Sequence, residues 1–373
     1  MKEILGLVFA YSSFPRLGEL VSPRTAASLP FGGRYRAIDF CLSNMVNAGI
    51  SNVGVIMRDT YQSLMDHLGG GKDWDLSRKN GGLFLLPPQS YGGNPYIRGE
   101  SFVAKLDALS GVYQYITARP GEYVLLADGD CITNIRISDV LATHEASGAD
   151  ITVVCSRMPV GEPEQSIYFD IDGSQRICGV IGNSQAAHDN ESLGMFLMKK
   201  SLLEELIREG REGDIVHFER GILRQRLGTL NVRPYFHPGY VARLHTIADY
   251  YRHNMALLNE RVREQLFDRS NPIRARVRDS APTYYSDTAK VSSSLIASGC
   301  RIEGTVENSI LFRNVYVAPG AVVRNSIVMQ DGRICQNANL DTAVLDKCVT
   351  VRAARTLIGS PSSPYVIGKG SVV

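Results

Sequence analysis

The sequence of 373 residues lacks several features that define specialised classes of protein. Its 40 basic and 38 acidic residues leave a net charge of only +2 and no polybasic tail, which argues against nucleic-acid binding. It has no apolar run long enough to cross a membrane, and its N-terminus enters a strand pattern without a signal-peptide region. The seven cysteines form no CxxC pair, which is typical of reduced thiols. We therefore expect a cytoplasmic protein without a disulfide framework or a zinc site.

Glycine is missing from the loop that follows the first predicted strand. The apolar run at residues 4–10 predicts a buried strand of an α/β sheet, and doubly wound folds bind nucleotides in the loop after such a strand. That loop usually contains several glycines, because only glycine lets backbone amides approach phosphates closely. Here residues 11–17 contain none. The pattern predicts a nucleotide-binding architecture with a poor phosphate-binding loop.

The first 265 residues alternate short apolar runs with stretches of helical spacing. The predicted strands are residues 4–10, 52–57, 122–127, 151–156 and 193–198, and the predicted helices are residues 39–48, 62–68, 103–118 and 138–147. Such alternation indicates βαβ units and a mostly parallel sheet. We predict an α/β domain over residues 1–265. Residues 266–285, which carry several arginines and two prolines, are predicted to be a linker.

The pattern changes in the last part of the chain, where a 17-residue period appears. Segments of similar sequence begin at Val306, Val323 and Leu340, and small residues or glycine fall between their apolar positions. This spacing is typical of hexapeptide repeats, in which short strands stack into a parallel β-helix. We predict such a β-helix over residues 286–373, with an ordinary antiparallel sandwich as the alternative. The open ends and flat faces of a β-helix favour an oligomer.

The segment at residues 30–50 carries a specific motif. The sequence PFGGRYRAIDF at residues 30–40, followed by LSN at 42–44 and NAGI at 47–50, resembles a signature of glucose-1-phosphate adenylyltransferase, or ADP-glucose pyrophosphorylase. The resemblance spans nearly the whole chain. It implies a Rossmann-like nucleotidyltransferase domain with a GT-A-like mixed sheet, followed by a left-handed β-helix. It also implies a reaction of ATP with glucose 1-phosphate, in which carboxylates hold Mg²⁺ between two polyanions.

This sequence keeps only some of the residues that the family's motifs place at the phosphate-binding positions. The family's Gly-rich loop falls on residues 11–17, where Arg16 matches but the glycines are replaced by Tyr11, Ser12 and Phe14. The family's next motif keeps its arginine as Arg24, but Ala26 replaces the lysine that binds phosphate. Side chains in the loop would crowd a triphosphate, and the lost lysine removes a cation.

The metal-binding and sugar-binding motifs are also incomplete. One metal carboxylate of the family is kept as Asp130, but Arg243 stands where the second should be. No Glu-Lys pair follows the hairpin predicted at residues 167–181, although Ser192 and Gly194 remain from the sugar-site strand. A cation at the metal position disfavours Mg²⁺ through direct charge repulsion. The resemblance therefore implies a site with Asp130 as a vestige of the metal centre.

These losses predict a catalytically deficient subunit that resembles the D-type regulatory subunit of Gram-positive bacteria. Such a chain would use no cofactor alone and would modulate a catalytic partner that holds Mg²⁺, in a hetero-oligomer expected to be a tetramer. It could also bind a nucleotide or sugar-phosphate effector. The candidates for holding a nucleotide or phosphate are Arg16, Arg24, Gly32, Gly33, Arg34 and Arg36.

Two alternatives remain open at this point. An active adenylyltransferase with a rearranged site would need another carboxylate, and Asp128 is the nearest candidate. A β-helix acyltransferase with a vestigial first domain is the second alternative. Acyltransferase sites of that kind usually rely on a histidine between coils, and no histidine follows His253. That absence counts against the second alternative.

Overall fold

The computed structural model describes residues 3–11, 15–58, 60–87 and 104–373. Within them, an α/β domain extends to Leu266 and a stack of short parallel strands begins at Tyr284. The strands of the α/β domain are β1 (Ile4–Phe9), β2 (Pro30–Phe31), β3 (Tyr35–Arg36), β4 (Asn52–Ile56), β5 (Gly82–Leu86), β6 (Tyr123–Asp128), β7 (Cys131–Thr133), β8 (Ile151–Ser156), β9 (Ile167–Ile171), β10 (Ile177–Gly182), β11 (Glu191–Lys199), β12 (Val232–Phe236) and β13 (Val241–Arg243).

Nine of these strands form the main sheet, β2 pairs with β3, and β7 pairs with β13. Helices cover both faces of the main sheet. The α-helices are α1 (Ala37–Asn47), α2 (Gln62–Leu68), α3 (Lys105–Gly111), α4 (Tyr113–Ala118), α5 (Ile137–Ser147), α6 (Lys200–Glu212), α7 (Arg224–Arg226), α8 (Ile247–Ala256) and α9 (Glu260–Leu266). Short 3-10 helices occur at Pro15–Leu20, Ala26–Ser28, Lys72–Trp74 and Pro163–Gln165, and a π-helix occurs at Phe218–Leu223. None of the described helices is both long and apolar enough to cross a membrane.

The main sheet is mixed, with a parallel centre. β1 is buried along its whole length and lies between β4 and β6, parallel to both. β11 runs antiparallel to β6 and β8, which makes this half of the sheet mixed. Because β1 and β6 are parallel neighbours with Phe9 opposite Asp128, their carboxyl ends meet at one edge of the sheet. Ligand sites of open α/β sheets lie at this edge.

The four helices predicted at residues 39–48, 62–68, 103–118 and 138–147 are present, with one difference. Residues 103–118 form two helices instead of one, because α3 ends at Gly111 and α4 begins at Tyr113. Glycine has the lowest helix propensity after proline, which favours a break at Gly111. Val103, the first residue of the predicted helix, lies outside the described residues.

The last part of the chain is a parallel β-helix with three faces. Its strands are β14 (Tyr284–Tyr285), β15 (Lys290–Ser292), β16 (Leu295–Ile296), β17 (Arg301–Ile302), β18 (Thr305–Glu307), β19 (Ile310–Leu311), β20 (Tyr316–Val317), β21 (Val322–Arg324), β22 (Ile327–Val328), β23 (Arg333–Ile334), β24 (Asn339–Asp341), β25 (Ala343–Leu345), β26 (Thr350–Val351), β27 (Thr356–Ile358) and β28 (Tyr365–Ile367). All pairs between them are parallel, so the sandwich alternative is wrong.

The 17-residue period is the length of one coil. Val306 pairs with Val323, and Val323 pairs with Leu340, so the repeated apolar residues stack inside the helix. Asn308 and Asn325 occupy the same corner of successive coils in the left-handed conformation, which asparagine tolerates better than most residues. The Asn308 side-chain amide donates to Asn325 Oδ1 at 2.7 Å. The corners therefore reinforce the register that the apolar residues set.

One hydrophobic cluster joins the two domains. It contains residues of the hairpin β2–β3, of α1, of α8 and of the β-helix, among them Phe31, Phe40, Tyr250, Ile310 and Met329. The Tyr250 hydroxyl donates to the Pro30 carbonyl at 2.7 Å, which fixes the hairpin against α8. The β-helix is thus packed against the α/β domain through a continuous core.

Candidate functional site

Two carboxylates mark the carboxyl edge of the central strands. Asp128 is the last residue of β6, and Asp130 lies in the tight turn between β6 and β7. The amide of Gly129 donates to the Phe9 carbonyl at 2.8 Å, which ties this turn to the end of β1. Both carboxylates are buried, with exposed fractions of 9% for Asp128 and 2% for Asp130. Buried carboxylates require charge partners.

The guanidinium of Arg243 is one of these partners. β13 pairs with β7 so that Arg243 lies opposite Cys131, directly beside the two carboxylates. Its Nη1 is 3.4 Å from Asp128 Oδ2 and 3.4 Å from Asp130 Oδ1. Its Nη2 donates to the Ser192 carbonyl at 3.1 Å, whereas its Nε has no hydrogen-bond partner among the described residues. Arg243 therefore bridges both carboxylates from inside the protein.

Lys105, at the start of α3, is a second internal cation. Its Nζ is 3.0 Å from Asp128 Oδ1 and 2.5 Å from Glu219 Oε1, and all three side chains are mostly buried. The ammonium also lies 5.3 Å from the ring centroid of Phe196, within the range of a cation–π contact. Glu219 comes from the π-helix Phe218–Leu223, an irregular element often found at functional sites.

These five side chains form what we call the internal charge network: Lys105, Asp128, Asp130, Glu219 and Arg243. Burial lowers the pKa of the Arg243 guanidinium, but neighbouring Cys131 and the carboxylates outweigh burial and raise the pKa above its ordinary value. Burial also lowers the pKa of Lys105, but the carboxylates of Asp128 and Glu219 outweigh burial. The pKa of Lys105 is therefore raised above its ordinary value. Both cations stay charged at neutral pH. The network contains three carboxylates and two cations.

The internal charge network does not fit a divalent metal. Among the described residues, no three His, Cys, Asp or Glu side chains converge on a position that could hold a metal ion. Asp128 and Asp130, the carboxylates best placed to bind Mg²⁺, share the guanidinium of Arg243. A cation next to both oxygens repels a second cation, and hard metals need free oxygen ligands. The arrangement supplies a permanent positive charge where a metal would supply an exchangeable one.

Gly194 on β11 leaves the space that Asp128 occupies. Its φ is +70°, and a Cβ at this position would overlap the Asp128 carboxylate. The pairing of β11 with β8 shifts register between Ser192 and Met195, which is a β-bulge around this glycine. Ser192 and Gly194, predicted as remnants of a sugar site, thus lie beside the internal charge network. Ser192 contributes its carbonyl to Arg243.

Tyr11 lies at the same edge, two residues beyond the buried end of β1. It is 8% exposed, and its ring packs edge-on against Phe9 with 5.9 Å between centroids. Burial, and then the neighbouring Asp128 carboxylate, raise the pKa of its hydroxyl well above the ordinary value. The hydroxyl finds no hydrogen-bond partner among the described residues. A tyrosine ring therefore fills part of the space that a glycine loop would leave open.

The remaining predicted residues lie elsewhere. Arg16 pairs with Glu162 at 3.3 Å and Glu164 at 2.6 Å, on the surface and about half exposed. Ala26 is fully buried in the core that joins the domains. Ser12 and Phe14 lie outside the described residues.

Arg24, predicted to hold phosphate, is engaged by the β-helix. It is 1% exposed, and its Nη1 and Nη2 donate to the two oxygens of Asp346 at 2.9 and 2.8 Å. Arg24 therefore does not face an open phosphate site. A bidentate pair of this kind has the geometry that guanidinium and carboxylate favour.

The glycines and arginines of the motif at residues 30–40 lie at the junction of the domains. Gly32 and Gly33 have φ of +59° and +83° and form the turn of the hairpin β2–β3. The amide of Gly32 donates to Asn254 Oδ1 at 3.0 Å, so this turn is occupied by protein contacts. Arg34 lies over the Tyr35 ring, and Arg36 donates to the Ser63 carbonyl at 2.6 Å.

Lys105 and Glu219 are functional candidates that the sequence analysis missed. Lys105 lies 23 residues before Asp128 and Glu219 lies 91 residues after it, so no short motif links them. The sequence offers one indication of these partners, the two acidic residues of Asp128-Gly129-Asp130. Once both carboxylates are buried, they require more than one cation nearby.

Three histidines around β13 predict acid sensitivity: His245 and His253 are buried, and His237 is half-buried. Burial lowers the pKa of His237 to about 4 and the pKa values of His245 and His253 to about 3. The folded state keeps them neutral while the unfolded state protonates them near pH 6.5, so stability is full above that pH and declines below it. Each histidine adds a slope of up to about 1.4 kcal/mol per pH unit. Urea unfolding between pH 7.5 and 5 measures this slope.

The control for this prediction is a substitution that removes no titratable group. Replacing His253 with glutamine should flatten the dependence of the unfolding free energy on pH, because one proton-binding site of the unfolded state is lost. Replacing the exposed Gln114 with asparagine should leave the slope unchanged. Equal slopes for wild type and His253→Gln would contradict the assignment.

Comparison with known proteins agrees with the two-part fold. Residues 15–209 match the family model described as nucleotidyl transferase, and residues 281–363 match the one described as GlmU-like, C-terminal hexapeptide. The fold and these matches define a nucleotidyl transferase domain followed by a hexapeptide β-helix.

Relatives that match over the full length of the chain define its family within this class of proteins. The chain is 32% identical over 371 residues to the glycogen biosynthesis protein GlgD of Bacillus subtilis, covering 99% of this chain and 97% of the relative. It is 36% identical over 370 residues to the GlgD of Geobacillus stearothermophilus, with the same coverage. It is 33% identical over 411 residues to the glucose-1-phosphate adenylyltransferase of Pseudothermotoga lettingae, covering 100% of this chain and 94% of the relative. The chain belongs to the ADP-glucose pyrophosphorylase family of glycogen synthesis and is of the GlgD type.

Proposed function

We propose that this chain is a catalytically deficient, regulatory subunit of an ADP-glucose pyrophosphorylase. The complex would convert ATP and glucose 1-phosphate into ADP-glucose and pyrophosphate in glycogen biosynthesis. The observation that carries the proposal is the internal charge network. Arg243 and Lys105 neutralise the carboxylates that would otherwise bind Mg²⁺. Transfer of a nucleotidyl group between polyanions depends on such a metal, so we assign the chemistry and the Mg²⁺ to a catalytic partner.

The alternative of an active enzyme with a rearranged site has little support. It requires Asp128 to replace the lost metal ligand, but Asp128 is 3.0 Å from Lys105 and 3.4 Å from Arg243. The alternative of a β-helix acyltransferase also has little support, because the relatives that match over the whole chain are GlgD proteins and adenylyltransferases. A regulatory role requires neither a carboxylate that is free to bind a metal nor a new nucleophile.

The proposed subunit would act through contacts with its partner. A regulatory subunit changes the activity of a catalytic subunit when it binds one conformation of it more tightly than another, which is a coupling free energy. We propose a hetero-oligomer, with a tetramer as the expected form.

The domain junction supports an additional role in binding an anionic effector. Burial, and then the charges of Arg36 and Arg24, lower the pKa of Lys347 to about 7. Burial and neighbouring charges, mainly arginines, lower the pKa of Arg36 to about 10, although Asp39 opposes this. Cations that depress one another's pKa values in this way are stabilised by an anion. We propose a nucleotide or a sugar phosphate as the ligand.

A pyrophosphorylase assay of three samples tests the proposed function: this chain alone, the catalytic partner alone, and the two mixed. We expect activity near background for this chain, since its metal position is filled by Arg243. The mixture should differ from the partner in maximal rate or in substrate affinity. Calorimetry of this chain with ATP, ADP-glucose and glucose 1-phosphate belongs to the same experiment, because heat of binding without turnover would identify an effector site.

Each outcome of this assay tests a different part of the proposed function. Robust activity of this chain alone would contradict the proposal that it is a catalytically deficient subunit. A mixture whose rate and affinity equal those of the partner would reject the regulatory partnership. Absence of heat with all three ligands would remove the effector role only.

A further inference from the structure

A surface contact joins two loops at the carboxyl edge of the main sheet. Arg16 Nη1 is 3.3 Å from Glu162 Oε2, and Arg16 Nη2 is 2.6 Å from Glu164 Oε2. Arg16 follows β1, whereas both glutamates lie in residues 160–166 after β8, which we call the acidic loop. β8 is antiparallel to β11, and β11 is antiparallel to β6, so β8 runs parallel to β6 and β1. The loops after β1 and β8 therefore leave the sheet at the same edge.

The strands between these two loops carry the candidate site. β6 and β11 lie between β1 and β8 in the sheet. β6 ends at Asp128, and Gly194 of β11 lies against the Asp128 carboxylate. The contact of Arg16 with Glu162 and Glu164 thus connects the loops on either side of the ends of β6 and β11.

Buried side chains hold the acidic loop in place. The Glu191 carboxylate is 0% exposed and accepts hydrogen bonds from the amides of Val160 and Gly161 at 2.5 and 3.1 Å. It also accepts a hydrogen bond from the Ser166 hydroxyl at 2.7 Å. A Cβ at Gly161 would lie 2.9 Å from this carboxylate and 2.7 Å from the His245 ring, so the loop packs closely against both. The protein itself therefore fixes the position from which the two glutamates reach Arg16.

The backbone on the other side of the contact is anchored as well. Arg16 belongs to the 3-10 helix Pro15–Leu20, in which Leu17 and Leu20 are fully buried in the cluster that joins the domains. The Arg16 side chain is half exposed, and both of its terminal nitrogens are taken by carboxylates. A phosphate group at this edge would have to displace the carboxylates to bind the guanidinium.

We propose that Glu162 and Glu164 exclude polyphosphate ligands from the candidate site by occupying Arg16. A guanidinium binds carboxylate and phosphate through the same N–H groups, so the glutamates compete directly with a phosphate. Two carboxylates also exceed the single charge of Arg16 and repel a polyanion. This exclusion rests on the proposed catalytic deficiency and adds to it, because the internal charge network opposes the metal and the acidic loop opposes the polyanion.

Isothermal titration calorimetry with inorganic pyrophosphate in EDTA tests the role of the two glutamates. The variant Glu162→Gln/Glu164→Gln should bind pyrophosphate at least about tenfold more tightly than the wild type, because Arg16 is released and two negative charges are lost. Arg16→Gln in the same background should remove the gain. All three side chains are partly exposed, and exposed ion pairs contribute little to stability, so we expect these variants to fold.

The variant Glu205→Gln/Glu209→Gln is the matched control. These two glutamates hold Arg226 at 3.0 and 2.5 Å, on α6 and α7 and outside the loops that follow β1 and β8. The control changes the net charge of the chain by the same amount and releases an arginine in the same way. It should bind pyrophosphate no more tightly than the wild type. Pyrophosphate bound at the domain junction contributes to every variant, so only the differences between variants test the acidic loop.

The outcomes separate this exclusion from the proposed function. Unchanged affinity of Glu162→Gln/Glu164→Gln, an equal gain in the control, or a gain that survives Arg16→Gln would overturn the role of the acidic loop. These measurements involve no turnover, so each of those results would leave the catalytic deficiency in place. Robust activity of this chain alone, measured separately, would contradict the proposed function whatever the pyrophosphate affinities are.

Discussion

Replacing Arg24 with methionine is expected to lower the free energy of unfolding by about 3–5 kcal/mol. The substitution leaves the Asp346 carboxylate buried at 0% exposure without the guanidinium that donates to both of its oxygens. Removing one partner of a buried ion pair costs more than the pair contributes, because the remaining charge loses its compensation. Since the pair joins the α/β domain to the β-helix, we expect its loss to loosen the junction of the domains.

A double-mutant cycle isolates this pair. Arg24→Met and Asp346→Leu should each destabilise the chain strongly, while the double variant should cost less than the sum of the two. Urea unfolding followed by circular dichroism gives all three values. The exposed pair of Arg324 and Glu307 is the matched control, and Glu307→Gln should cost far less than either substitution in the buried pair. Additive costs for Arg24 and Asp346 would contradict a coupled pair.

The β-helix could be predicted because its determinants are local and repeated. Val306, Val323 and Leu340 are spaced by one coil length, and each stacks on the next through the parallel pairing. The first strand was equally predictable, since a short apolar run has no stable position except inside a sheet. The end of the β-helix that residues 371–373 cover was not predictable, because these residues contact Thr350 and Arg352 through backbone groups that carry no sequence signal.

The candidate site could be predicted only where motifs mark it. Asp130 and Arg243 were found because each stands in a recognisable motif, and the structure brings them within 3.4 Å. Lys105 and Glu219 were missed because their contact depends on the π-helix, whose geometry no spacing rule anticipates. Arg24 is predicted to hold phosphate because it matches a motif of the family, whereas its partner in the structure, Asp346, lies 322 residues away on another domain. Long-range charge pairing is decided by packing and not by local pattern.

The balance of charge in the internal network accounts for the burial of three carboxylates at one edge of the sheet. Three carboxylates at one buried edge would repel one another without compensating cations. Arg243 and Lys105 provide that compensation within the chain, and Gly194 leaves the room that Asp128 needs. The network can thus stabilise the α/β scaffold without Mg²⁺. A scaffold that holds its shape without a metal suits a subunit whose role depends on its surfaces.

Replacing Arg243 with glutamine should therefore make the stability of the chain depend on divalent metal. The substitution removes the cation that Asp128 and Asp130 share, and we expect a loss of about 3–5 kcal/mol in the absence of divalent ions. The freed carboxylates become hard oxygen ligands, so Mg²⁺ should restore stability by about 2.7 kcal/mol at a concentration 100 times its dissociation constant. Wild-type stability should not change with Mg²⁺, because Arg243 and Lys105 already compensate the charges of these carboxylates.

Thermal or urea unfolding with EDTA and with increasing Mg²⁺ measures this dependence directly. Arg233→Gln is the matched control, since Arg233 lies outside the network and donates to the Ser174 carbonyl at 2.9 Å. Its stability should respond to Mg²⁺ no more than that of the wild type. A wild type that Mg²⁺ stabilises as strongly as Arg243→Gln would show that the metal position is open, and the proposed catalytic deficiency would lose its physical basis.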